Sequence, residues 1–484
     1  MKPARKLLDM FGNPVRTSAA RVQSYHEAAQ YSRSRSYLAL GPDDVNASNT
    51  SDRPELLRKA RYWDQNSPLV NRLADLFVNH VVGTGLRVTP ASMDEAWNTI
   101  ANDWWLQWEQ FADLTSRFTW PTLQRLMARE LIIAGEYFIL LTSSTETGRN
   151  RIQFVQPHQI KTPPSEDGNP LVIDGVEVNS FGRPIAYYIA TQDRNGKETF
   201  ARHEARWVIH GFDPQRPQQV RGLTMFSPVL NDIHDLEDLQ QLEQQAARDN
   251  AQVTKVIKTE SGELDDEDAL VTGDVNSLDR TTYYRRAFGS SAEVMMQGDD
   301  MKEFRSDRPS VAVREYWVWL VNKVCAGVNI PSQLVFPESL NGTVTRAVLD
   351  LANAHFRGYT ILIASSIQRV WNYVIGNQVS GDLKGAPDDW GKITVHPPRA
   401  VNVDVGRNST AMINEHRAGM RTLQSIYAET GQDWRQELQQ KAVELAYASR
   451  VADENGLKPS DLLDSIEPAA EPESRPVIED EEDL

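Results

Sequence analysis

Apolar residues recur at helical spacing over much of the chain, interrupted once by a block that alternates as strands do. Residues 1–52 mix Ser, Arg, Asn and Asp with little periodicity and read as a flexible N-terminal segment. From Arg53 a helix is expected, with Asp52 as its cap and Pro54 near its first turn. Asn66-Ser67-Pro68 restarts a helix whose face is Leu69, Leu73, Leu76, Phe77 and Val81, and Gly83 and Gly85 end it. A helix over about 93–111 carries Trp97, Trp104, Trp105 and Trp108, read as core, and another spans about 121–135. Strand runs follow at Tyr137-Phe-Ile-Leu-Leu-Thr, Ile152-Gln-Phe-Val-Gln, Ile185-Ala-Tyr-Tyr-Ile-Ala-Thr and Trp207-Val-Ile-His-Gly-Phe. Turn dipeptides at Asp167-Gly, Asp174-Gly and Asn195-Gly separate them. This order predicts an α+β fold for about 53–225.

Beyond that block the pattern is again helical. Ser227 and Pro228 suit the N-cap and first position of a long helix to about residue 252, with a narrow stripe of Leu230, Ile233, Leu236, Leu239 and Leu242. Residues 253–306 read as a small β-rich insertion, with strand-like runs at Val253-Thr-Lys-Val-Ile-Lys and Ser291-Ala-Glu-Val-Met-Met. Between them, 260–274 hold seven acids and no Lys or Arg. The next helix, about 307–330, is apolar nearly all round, which predicts burial in a core or between subunits. Pro331 stops it, Glu338-Ser-Leu-Asn-Gly-Thr forms a connector, and a long helix is expected from about Thr345 to Ile375. Two or three helices run through about 408–455, and the acidic tail from about 461 reads as disordered.

Composition narrows the function. Hydrophobic residues make up 40% and charged residues 24%, as in a folded soluble protein, and no run approaches the ~20 apolar residues of a membrane span. Leu7-Leu-Asp-Met-Phe is too short and polar for a signal-peptide core, so an origin in the cytoplasm is expected. The single cysteine, Cys325, excludes an internal disulfide or a Cys-based zinc site and reads as a buried small hydrophobe. A formal charge of −16 argues against wrapping or reading DNA, though not against a surface past which DNA slides.

Signatures of catalysis are missing. There is no phosphate-cradling Gly-x-x-x-x-Gly-Lys-Ser/Thr, no His-Glu-x-x-His metal pair and no Gly-x-Ser-x-Gly elbow. Gly83-Thr-Gly reads as a helix cap, not half of a dinucleotide loop. His203, Glu204 and His210 form at best a weak acid–base or metal candidate, and Asp265-Asp-Glu-Asp reads as a solvated acidic loop before a cation site. No catalytic residue, cofactor or metal is assigned, and a non-enzymatic role is expected.

Several stretches, in order, resemble the lambda-type family of tailed-phage portal proteins. They are Arg58-Lys-Ala-Arg-Tyr-Trp-Asp-Gln-Asn-Ser-Pro, Leu76-Phe-Val-Asn-His-Val-Val-Gly-Thr-Gly-Leu, Trp104-Trp-Leu-Gln-Trp, Gly135-Glu-Tyr-Phe-Ile-Leu, Phe154-Val-Gln-Pro-His-Gln-Ile and Phe181-Gly-Arg-Pro-Ile-Ala-Tyr-Tyr-Ile. The clearest is His210-Gly-Phe-Asp-Pro-Gln-Arg-Pro-Gln-Gln-Val-Arg-Gly-Leu-Thr, leading into Ser227-Pro-Val-Leu and ending at Ala246-Ala-Arg-Asp-Asn-Ala. The resemblance spans about 55–455.

It implies a dodecameric ring. Its wing would be 53–226 and 346–404, its stem the helices 227–252 and 307–330, its clip 253–306 and its crown 405–460. Residues 331–345 would form a tunnel loop, with Glu338, Ser339, Leu340, Asn341, Gly342 and Thr343 facing DNA. Clip contacts with partners would come from Glu260, Glu263, Asp265, Asp266, Glu267 and Asp268, and subunit contacts from Trp317 and Trp319. The implied partners are further copies of the chain, double-stranded DNA passing without sequence reading, a terminase packaging motor, a head–tail adaptor, and the major capsid and scaffolding proteins. No membrane is involved, and the location would be the portal vertex of a virion. Twelve copies would carry roughly −190 formal charge, an acidic wall that does not hold a polyanion. The competing expectations are a soluble hydrolase with an unrecognised carboxylate or His site, and another head–tail component of the virion.

Overall fold

The computed structural model describes residues 44–144, 149–252, 255–258, 292–295, 311–337, 342–398, 405–429, 432 and 434–456. The fold is α+β. Helix α1 (Val45–Asn66) begins seven residues before the expected Asp52 cap, so the flexible assignment fails for 45–52, while 1–43 lie outside the described residues. Asp44 is the cap and accepts from the Asn46 N–H at 3.0 Å. Tertiary contact holds this polar first turn: the Asn46 side chain donates to the Gln218 carbonyl and accepts from the Val220 N–H. Pro54 therefore sits inside the helix, not at its start.

Helix α2 (Pro68–Val81) buries Leu73, Leu76, Phe77 and Val81 of the face expected from spacing; Leu69 is only half-buried, and Val70, Ala74 and Val78 are buried as well. It ends at Gly83, whose φ of +62° and N–H to the Val78 carbonyl make the C-cap read from the sequence. Helix α3 (Glu95–Glu109) is capped by Asp94, and α4 (Trp120–Ile133) follows. The tryptophans are core: Trp105 has its ring centroid 4.7 Å from Trp108, 5.1 Å from Trp371 and 6.2 Å from Trp120. Trp371 comes from α7 (Gly342–Val379), a single 38-residue helix that runs past both ends expected for it. Gly342 and Thr343 form its first turn and not part of a loop. Its inner face, including Phe356, Ile363, Ile367, Val370, Val374 and Ile375, closes the main core against α2, α3 and α4.

Two strand systems stack beside these helices. A three-stranded antiparallel sheet has the order β3-β2-β8, from β2 (Glu136–Ser143), β3 (Asn150–Val155) and β8 (Val208–Phe212). A four-stranded sheet has the order β4-β5-β6-β7, from β4 (Val172–Ile173), β5 (Val176–Val178), β6 (Pro184–Gln192) and β7 (Glu198–Glu204). Phe138, Val155, Ile160, Val176, Tyr187, Ile189 and Val208 form a second core between them. Turn chemistry marked two of the hairpins: Asp174 and Gly175, both at positive φ, join β4 to β5, and Asn195-Gly196 lies between β6 and β7. Strand β7 escaped the sequence reading because Glu198, Thr199, Ala201, Arg202 and Glu204 are all exposed, which erases the alternation. Strands β1 (Arg87–Pro90) and β11 (Ile393–His396) were missed as four-residue pieces that only pair with each other, more than 300 residues apart.

The next elements are α5 (Leu230–Gln252) and α6 (Val311–Gly327). Ser227 is not the cap of α5. Residues 225–229 form turns, with the Ser227 N–H on the Thr224 carbonyl, that run straight into the helix. The two strand-like runs of the insertion appear as β9 (Lys255–Lys258) and β10 (Ala292–Met295), paired in parallel. Three helices complete the description, α8 (Val405–Arg417), α9 (Leu423–Glu429) and α10 (Trp434–Asn455). Among the described residues no helix is long and apolar enough to cross a membrane.

Candidate functional site

Helices α5 and α6 pack side by side, with the start of α5 against the end of α6. Ile233 and Leu236 of α5 are buried, whereas Leu242, farther along the same stripe, is 62% exposed. On α6, Leu320, Val321, Val324 and Cys325 face inward. Burial pushes the Cys325 thiol up to about 12, so it behaves as a small hydrophobe. Gly327 leaves no room for a side chain, because a Cβ there would overlap Val229. Lys323 bonds Asp232 across the pair at 2.5 Å.

Within the chain, α6 is buried on one side only, so its own core does not account for the whole apolar surface. Tyr316, Val318 and Trp319 are 51%, 45% and 54% exposed. The Tyr316 and Trp319 rings stack 5.8 Å apart, with the Lys323 ammonium 5.6 Å from the Trp319 ring. Of the two tryptophans singled out for contact, Trp317 packs within the chain, edge-on to Phe336 at 6.2 Å, and Trp319 points outward. Helix α10 repeats this behaviour. It bonds the body near its start, through Arg435 to Glu95 and Gln436 to Arg87, while Leu438, Val443, Leu445 and Tyr447 lie exposed along it.

Glu260, Glu263, Asp265, Asp266, Glu267 and Asp268 lie outside the described residues, as do Glu338, Ser339, Leu340 and Asn341. The structure does not bring His203 and His210 together as a pair with Glu204: Glu204 bonds Arg206, and His210 turns inward to Glu136. Among the described residues no group of three or more His, Cys, Asp or Glu is placed to hold a metal. A polar depression of about 270 Å³ is lined by Arg61, Asp64, Arg129 and Glu130. Its charges already satisfy one another, Arg129 reaching Asp64 at 2.7 Å and Arg61 reaching Glu130 at 3.3 Å.

The sequence reading missed a buried ionic joint at the base of the α5–α6 pair. The Glu136 side chain, first in β2, has no solvent exposure. Its Oε1 accepts from Arg221 Nη2 at 2.6 Å, and its Oε2 accepts from the Gly222 N–H at 2.9 Å and from His210 Nε2 at 3.1 Å. Arg221 Nε adds bonds to both oxygens at 3.0–3.1 Å, and Arg53 of α1 approaches at 3.4 Å. The other Arg221 donors reach the carbonyls of Pro157, Ile160 and Asp174, while Arg53 bonds the Asp174 carboxylate. Two carboxylates and two guanidiniums thus balance with His210 neutral. One signal was legible: Glu136 opens an apolar run, Tyr137-Phe-Ile-Leu-Leu, and a buried carboxylate needs a cation.

Burial alone would raise the Glu136 carboxyl, but the Arg221 charge and the bonds from His210 and Arg221 outweigh it and hold it well below the usual carboxylate range. Burial lowers His210 and prevails over the attraction of Glu136. Glu109 runs the other way: burial raises it to about 7, against a bond from Trp105 and the charge of Arg87.

A family model described as phage portal protein, lambda family, matches residues 32–339, more than half of the chain. The probable portal protein of Halomonas phage phiHAP-1 is 22% identical over 352 residues, 68% of this chain and 66% of the relative, so the match spans just under two thirds of that relative's length. Among solved structures, a chain from the neck of an empty gene transfer agent particle computed with C6 symmetry is similar at 12% identity and a TM-score of 0.45, covering 77% of this chain and 91% of that one. A chain from the neck of the native particle computed with C12 symmetry gives 13% identity and a TM-score of 0.42, covering 77% and 91%.

The joint predicts acid lability. Unfolded, His210 takes a proton below the reference value of 6.5 that the folded site refuses, so stability falls as pH drops through 6.5. Glu136, depressed in the fold, adds a second loss as pH drops below 4.5. Glu109, raised in the fold, contributes stability that is present below 4.5 and lost as pH rises through about 7. Glu109 is common to wild type and His210→Gln, and the change that losing His210 makes to Glu136 falls at the acid end, so the difference above pH 5 reports His210. Between pH 6.5 and 5 the wild type should lose up to about 1.4 kcal/mol per pH unit relative to His210→Gln, read from thermal melting at each pH. Parallel melting curves for the two proteins across that range contradict a neutral, buried His210.

Proposed function

Because this chain belongs to the lambda family of phage portal proteins, we propose that it is one subunit of a ring around a path for double-stranded DNA at one vertex of a phage head. The observation that carries the ring is the outward face of α6. Tyr316, Val318 and Trp319 form an aromatic and aliphatic surface on a helix already half committed to the core. The exposed apolar residues of α10 support the same reading, since a 22-residue helix with two buried residues gains little from its own chain. In a closed ring each copy covers such faces on its neighbour, and twelve copies are expected.

The net charge of −16 per chain suits a conduit that lets DNA pass without holding it. With no phosphate-cradling loop in the sequence, the driving energy would come from a separate terminase motor. The acidic insertion containing Glu260, Glu263 and Asp265–Asp268 would meet that motor and later a head–tail adaptor. Capsid and scaffolding proteins would surround the ring in the virion. Glu338, Ser339, Leu340 and Asn341, which precede the first turn of α7 in sequence, would be the residues that touch DNA, through small polar groups and one apolar tip.

Electron-microscope class averages of the purified protein should show rings with a central hole, and Trp319→Asp with Tyr316→Asp should shift the population to smaller species. A wild-type protein that stays monomeric in light scattering at every concentration rules out the ring.

Deletion of residues 260–274 should leave rings intact while impairing DNA packaging or tail joining. Normal infectivity after that deletion removes the partner assignment.

Asn341→Arg, repeated around the ring, should leave assembly unchanged and slow DNA passage, most at low salt, where phosphate attraction is least screened. Packaged DNA length across salt concentrations reads this directly, and full-length packaging at the normal rate in low salt shows that the loop is away from the DNA path.

A further inference from the structure

We propose that Glu136 and Arg221 are positioning residues of a rigid joint that fixes where the α5–α6 pair leaves the β-rich body, so that the pair and both sheets move as one piece. The joint gathers separate parts of the chain. Arg53 comes from α1, Glu136 from the start of β2, Asp174 from the β4–β5 turn, His210 from β8, and Arg221 from the segment leading into α5. Their side chains are all 12% exposed or less, so water does not substitute for a lost partner.

The joint passes directly into the helix pair. Gly222 donates its N–H to Glu136, and its Cα lies so close to Gly135 that a Cβ on either glycine would overlap the other segment. From there the Met225 N–H bonds the Ile132 carbonyl, the Phe226 side chain is fully buried, and Val229 fills the space left by Gly327 at the end of α6. Each step from the carboxylate to both helices is thus a hydrogen bond or a close contact. A buried ion pair adds little net stability compared with apolar residues of the same shape. What this one supplies is direction: the Arg221 fork is satisfied only with Glu136 on one side and the Pro157, Ile160 and Asp174 carbonyls on the other.

This deepens the ring reading, because a conduit whose wall helices answer to its outer sheet transmits contacts from outside to the channel. The test needs neither DNA nor other phage proteins. Hydrogen exchange is followed by mass spectrometry on the full chain as purified, for wild type, Glu136→Gln, Arg221→Lys and the control Met127→Ala, a cavity in the main core away from the joint. Glu136→Gln should speed exchange over residues 222–236 and 318–328 by on the order of tenfold relative to α2 and α4. Arg221→Lys keeps the charge but loses the fork, so it should show the same local pattern even if Glu136→Gln does not fold. Met127→Ala should weaken protection without that preference. Protection that falls uniformly in the joint variants, or that does not fall at 222–236, overturns the proposal. Failure of the ring reading shows separately, as an absence of rings in the wild type.

Discussion

A carboxylate removed from water is costly unless every lone pair finds a donor, and Glu136 sits where no water reaches it. That constraint organises the body of the molecule. To balance the buried charges the chain brings Arg221 to Glu136 from 85 residues away, adds Arg53 from α1 with Asp174 of a hairpin turn as its counter-ion, and keeps His210 uncharged. These groups tie the first helix to both sheets through Arg53, and tie the lead-in to α5 to β2 through Arg221 and Gly222. The close approach of Gly135 and Gly222 follows from the same packing, since any side chain there would force the carboxylate off its donors.

The apolar faces of α6 and α10 follow a different logic. Main-core residues from α2, α3, α4 and α7 are enclosed within one chain, with Trp105, Trp120 and Trp371 fully buried. Tyr316, Val318 and Trp319 on α6, and Leu438, Val443, Leu445 and Tyr447 on α10, are left facing outward by the same chain. The fold buries three indole rings completely, yet leaves Tyr316 and Trp319 outward as a stacked pair beside the Lys323 ammonium. Under the ring proposal the neighbour that covers them is another copy of the chain, and the acidic balance would then belong to a shared wall and not merely to solubility.

Periodicity read the helical core well where one face is apolar and a glycine or aspartate marks the end, as in α2 and its Gly83 cap. It misplaced the start of α1 because Val45–Ser51 has no apolar stripe of its own and is helical through contacts with Gln218 and Val220. It overlooked β7, whose exposed side chains do not alternate, and the β1–β11 pair, in which each strand is specified by a partner about 300 residues away. It gave α6 as buried in a core or between subunits without separating the two, because composition around a helix reports what could be buried, not which side finds a partner in the same chain.

The sequence by itself determined the α+β order, the tryptophan core, the two helices flanking an insertion, the inert cysteine and the family resemblance, because each rests on local spacing or on an ordered run of motifs. Only the tertiary structure decided that Glu136 and Arg221 meet, that His210 serves them and not His203, and that Trp317 turns inward while Trp319 turns out. Those outcomes depend on distances between residues far apart in sequence and on the loss of water around them, and neither quantity exists until the chain has folded.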